Sequence, residues 1–122
     1  MATTDLTTVY AALRQILARH TDGLLVQHDD DTQFYVDTHH VQPNKKPLFF
    51  GAVQRKKAMV AFHLMPVYLQ PALLASISPA LTARMQGKSC FNFKTLEPAL
   101  FEELDRLTQS ARASYRAQGF VD

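Results

Sequence analysis

The sequence predicts an α+β fold of two layers: a mainly antiparallel sheet of about five strands, with N- and C-terminal helices packed on it. Three observations carry this expectation. Both ends of the chain space their apolar residues at a helical period. The stretch between them holds short apolar runs broken by acidic and basic turns. The first four runs are joined by connections too short for parallel crossovers, so they pair antiparallel. The order reads α-β-β-β-β-α-α-β-α, in a single domain over residues 1–122.

Each element has its own signal. Residues 5–19 place Leu6, Val9, Tyr10, Leu13, Ile16 and Leu17 on one helical face, with Arg14, Gln15 and Arg19 on the other. Thr4 is the expected N-cap, and Thr21-Asp22-Gly23 ends the helix. Leu24–Gln27 and Gln33–Asp37 form a hairpin across the acidic turn Asp29-Asp30-Asp31. The segment from His39 to Pro47 reads as the longest loop. Leu48–Val53 and Ala58–Leu64 form a second hairpin across Arg55-Lys56-Lys57. Pro71 opens a short helix through Ala75, and Ser78-Pro79 opens another that runs to Gly87. Lys88–Phe93 returns to strand. Thr95 caps a final helix striped by Leu96, Leu100, Leu104, Leu107 and Ala111, which Gly119 stops.

The second hairpin carries a further clue. Strict alternation puts Leu48, Phe50 and Ala52 on one side of its first strand, and Phe49, Gly51 and Val53 on the other. Its second strand sets Ala58, Val60, Phe62 and Leu64 against Met59, Ala61, His63 and Met65. Both sides are largely apolar, whereas a half-solvated antiparallel sheet alternates apolar with polar. The second face is therefore expected to be covered, by the middle helices, a ligand or a partner subunit, with a homodimer as the partner expected.

Composition limits the function classes. With 47% hydrophobic and 20% charged residues the chain is globular, and a net charge of +2 is too small to point to nucleic acid or an anionic membrane. The one cysteine, Cys90, excludes an internal disulfide and a cysteine-rich zinc site. No apolar run is long enough to span a bilayer, and Met1–Asp5 lacks the basic start and apolar stretch of a signal peptide, so the expected location is the cytoplasm.

Two motifs set polar side chains among apolar ones: Phe62-His63-Leu64-Met65-Pro66-Val67-Tyr68 and Gly87-Lys88-Ser89-Cys90-Phe91-Asn92-Phe93. Such groups must be hydrogen-bonded or used. His63 has the chemistry of a general base or ligand contact. Cys90 shares a strand side with Asn92, and a cysteine, a histidine and an asparagine together invite a nucleophile reading, although no cysteine-hydrolase signature surrounds Cys90. Lys88 offers an anion contact and Tyr68 a hydroxyl for a pocket wall. His63, Tyr68, Lys88, Cys90 and Asn92 are thus the candidate ligand-binding residues. His39 and His40 are metal-capable, but neighbours in an extended segment point apart. The triple aspartate lacks the calcium-loop pattern and reads as a solvated turn. Phosphate-loop, dinucleotide, zinc-protease and serine-hydrolase motifs are all missing.

These two motifs, with Ile77-Ser78-Pro79-Ala80-Leu81 and the closing helix, resemble the YdhG-like domain family, a bacterial group of unknown function that includes a frataxin-like intracellular iron chaperone. The resemblance covers the chain from about Phe49 to its C-terminal end by motif, and the first helix by pattern. It implies a two-layer domain and, for some members, delivery of iron. Frataxins carry an acidic ridge on the first helix and strand; this first helix holds only Asp5. The carboxylates that could hold iron here are Asp29, Asp31, Asp37, Glu102 and Glu103, a set of hard oxygen donors spread over separate segments. The leading expectation is a non-catalytic binding protein linked to iron. The alternatives are a small-molecule-binding protein or enzyme with a pocket near His63, and an interaction module acting as a homodimer.

Overall fold

A computed structural model describes residues 5–122. Helix α1 (Leu6–Ala18) buries Val9, Tyr10, Leu13, Ile16 and Leu17, the stripe that the spacing predicts. Its N-cap is Asp5, whose carboxylate accepts from the Thr7 N–H at 2.9 Å; the expected cap Thr4 lies outside the described residues.

Five antiparallel strands follow in the spatial order β1-β2-β3-β4-β5: β1 (Leu25–Asp29), β2 (Gln33–Val41), β3 (Pro47–Arg55), β4 (Val60–Leu64) and β5 (Cys90–Phe93). The β1–β2 turn is built by Asp30, whose Oδ1 accepts from the N–H of Thr32 and Gln33 and from the Thr32 hydroxyl. Strand β2 is longer than expected. It takes in His39, His40 and Val41, because the β2–β3 hairpin closes later, at Gln42–Lys46.

Strict alternation fails on β3. Gly51 pairs with Val36 and Phe49 pairs with Asp37, so Phe50 is an extra residue in a bulge. Phe50 and Val53 consequently both face the core, while Phe49 and Ala52 both face away from it. Phe34, Val53, Phe62 and Phe91 form one continuous buried row across four strands.

The middle segment also departs from expectation. Met65 leaves the strand and opens α2 (Met65–Leu69), with Pro66 at a position where its missing N–H costs nothing. Tyr68 therefore sits on a helix. A 3-10 turn (Pro71–Ser76) and α3 (Pro79–Thr82) follow, so α3 ends well before Gly87 and Lys88 lies in a connecting turn. That turn is pinned to β5: Gln86 N–H donates to Cys90 O, and Asn92 N–H donates to Arg84 O. The outer edge of β5 is thereby paired.

Helix α4 (Pro98–Ala117) buries Leu100, Phe101, Leu104, Leu107, Ala111 and Tyr115. Its N-cap is Glu97 with no side-chain cap bond, in place of the expected Thr95, and Gly119 follows its end at φ +83°. It packs on the same face as α1. Phe101 meets Phe93 edge-on at 4.9 Å, and the Tyr115 hydroxyl donates to Phe49 O at 2.8 Å. The middle helices pack against α4 as well, and α2 meets the sheet at one end, beside Leu48 and Phe49 of β3 and Tyr35 and Asp37 of β2. They do not form the cover expected for the second face, which no described helix crosses. The result is two layers with a single apolar core, and no described helix is long and apolar enough to cross a membrane.

Candidate functional site

Strand register places a row of side chains across all five strands on the second face: His28, Tyr35, Ala52, His63 and Cys90. On one side of it runs an amide row, Gln33, Gln54 and Asn92 around the small Ala61, in which Gln54 Nε2 donates to Gln33 Oε1 at 2.8 Å. On the other side Asp37 pairs with Phe49. Tyr35 and Phe49 stack with ring centroids 4.7 Å apart, and His28 meets Tyr35 edge-on.

Three of the expected ligand residues come together here. Cys90 Sγ lies 3.8 Å from His63 Nε2, and the thiol donates to Asn92 Oδ1 at 3.4 Å. Burial pushes the Cys90 thiol up, against a smaller opposing effect of Lys56. Burial, aided by Lys56, pulls the His63 imidazole down. Both shifts favour neutral partners, whereas a nucleophilic cysteine needs the thiolate beside an imidazolium. The pair is a polar contact within a sheet face and lacks the electrostatics of an activated nucleophile.

Tyr68 and Lys88 form a second group, with the Lys88 ammonium 6.0 Å above the Tyr68 ring. Tyr68 borders a groove of about 350 Å³ at the end of the second face, formed by Tyr35, Asp37 and Phe49 on the sheet, Met65 and Leu69 on α2, and Lys46 in the β2–β3 turn. Asn92 opens instead onto a cleft of about 420 Å³ beside Met59, Met85 and Glu97. His63 lines neither cleft, so the expected ligand residues divide between separate places.

Comparison with protein-family models, curated proteins and solved structures returned no match. The YdhG-like resemblance therefore rests on the sequence motifs alone.

The five expected iron-binding carboxylates are not brought together. Asp29 is held by Arg14 through two bonds of 2.8 and 2.6 Å, which keeps its carboxyl below the usual range. Glu103 accepts from the Ser78 N–H and hydroxyl at 2.8 and 2.7 Å and is likewise held low. Asp31 and Glu102 are exposed on the β1–β2 turn and on α4. Asp37 is buried on the second face. Among the described residues no three His, Cys, Asp or Glu side chains are grouped closely enough to hold a metal ion.

Tyr35, Phe49 and Met65 are site residues that sequence reasoning missed. Tyr35 was accessible to it, because the alternation of β2 puts Tyr35 opposite the buried Phe34 and Val36. Phe49 was not, since the bulge at Phe50 reverses its side. Asp37 was noticed as a carboxylate, but its burial to 7% exposure depends on partners from other strands.

Proposed function

We propose that the protein is a non-catalytic binding domain that works through the second face of its sheet. One observation carries this reading: α1 and α4 cover the core face alone, while the opposite face presents the row His28, Tyr35, Ala52, His63 and Cys90 and ends in an aromatic groove. A face with a floor of aromatic and small residues and a few fixed polar groups is the usual make-up of a ligand surface. The neutral Cys90–His63 pair argues against cysteine chemistry there.

Backbone NMR of the labelled protein, titrated with a chemically diverse panel of small molecules, tests the proposal. The expected perturbations cluster on β2, β3, β4 and α2 at second-face residues. Perturbations confined to the outward faces of α1 and α4 would overturn it.

Self-association is a second reading, favoured by the exposed Tyr68 and Leu69 beside the groove. Light scattering at micromolar concentration decides it: a dimer mass supports the reading and a monomer mass removes it.

A further inference from the structure

The groove at the α2 end of the second face has a chemistry of its own. Asp37 is 7% exposed, yet its one side-chain partner among the described residues is neutral: Gln27 Nε2 donates to Asp37 Oδ2 at 3.1 Å. Among the described residues no Lys, Arg or His forms an ion pair with it. A buried carboxylate without a cation is costly, because burial removes hydration that a neutral amide only partly replaces. Burial accordingly pushes its carboxyl above the usual range, with the Gln27 bond opposing.

The surroundings of Asp37 are suited to a cation. Tyr35 and Phe49 line the same groove, and the faces of aromatic rings attract ammonium groups. The protein already uses this attraction, holding its own Lys88 ammonium over Tyr68 on the groove wall. Met65 and Leu69 add an apolar wall, and about 350 Å³ is room for a short alkyl chain with its head group. Among the described residues Lys46 is the one cation that lines the groove, and it is an exposed side chain on a turn.

We infer that the groove binds a small organic cation, an alkylammonium ion whose charged head meets the Asp37 carboxylate and the aromatic rings while its hydrocarbon lies against Met65 and Tyr68. This inference rests on the second face being the binding surface and names the ligand class for one end of it. The ligand supplies the positive charge that Asp37 lacks, next to a carboxylate that is already largely withdrawn from water.

Titration of the full chain at pH 7.5, followed by NMR, tests it with four probes of similar size: n-butylammonium, butyltrimethylammonium, n-butanol and butyrate. The two cations are expected to shift Tyr35, Asp37 and Phe49 resonances and to bind at least about tenfold more tightly than butanol, with butyrate weakest. Asp37→Asn, which keeps the shape and the bond from Gln27, is expected to lower cation affinity at least about tenfold and leave butanol unchanged. Lys46→Met, on an exposed turn with nothing to unfold, is expected to tighten cation binding. Butyrate binding as tightly as the cations, or cation affinity unchanged in Asp37→Asn, would overturn the inference. So would the absence of groove shifts at about 10 mM cation. In each of these cases a panel compound that perturbs the His63–Cys90 end would leave the broader binding proposal standing.

Discussion

Cys90 and His63 illustrate how burial decides the chemistry of adjacent groups. At 3.8 Å their side chains could share a proton, but desolvation raises the thiol and lowers the imidazole, so each stays neutral. Iodoacetamide should therefore alkylate Cys90 at pH 7.5 more slowly than a free model thiol, and His63→Ala should not slow it further. A rate equal to or above the model thiol would mean a thiolate–imidazolium pair. Asp37 carries the opposite consequence for stability. Its folded carboxyl titrates above the ordinary value, so folding favours the protonated form. That contribution is complete below about pH 3.9, the ordinary aspartate value, and is lost as pH rises through the folded value. Asp37→Asn should thus raise the melting temperature at pH 7 more than at pH 4, and equal shifts at the two pH values would contradict the assignment.

Among the elements, β3 carries the most consequence. The bulge at Phe50 turns Phe49 outward to stack on Tyr35 while Phe50 and Val53 stay in the core. Beside it, Gly51 lets α1 approach the sheet. A Cβ there would lie 2.9 Å from the His63 carbonyl oxygen and 3.1 Å from Leu17 Cδ1. Gly51→Ala should cost about 1–3 kcal/mol in denaturant unfolding, through strain between α1 and the β3–β4 pair; a change below about 0.5 kcal/mol would show that the contact relaxes freely. The same stretch marks where sequence reading stops. The stripes of α1 and α4 were legible because each mixes apolar with polar residues at one period. Leu48 to Val53 is apolar throughout, so alternation had nothing to contrast and the bulge left no trace. Met65-Pro66 was ambiguous for a related reason, since proline disrupts a strand but also opens a helix. The groove joins β2, β3, α2 and the β2–β3 turn, and no local pattern encodes that meeting.

For the whole molecule, the layer arrangement separates stability from function. One face of the sheet holds the core with α1 and α4, and the other is left to side chains fixed by strand register. The two-layer α+β class and its element order were readable from the sequence; which face stayed uncovered was not, because that depends on where the middle helices pack. Iron is a test of the same arrangement. With Asp29 and Glu103 tied to Arg14 and Ser78 and the other carboxylates apart, calorimetric Fe(II) titration should give no binding tighter than about 100 μM, about −5.5 kcal/mol. A micromolar Kd would mean that the carboxylates regroup around the metal. Binding through the second face requires that face to be open to a ligand in solution. Relaxation of side-chain NMR signals by a soluble gadolinium chelate measures this directly. Strong relaxation is expected at Tyr35, His63, Cys90 and Tyr68 and little at Phe62 and Phe91; protection of the first group to the level of the second would mean that the face is covered.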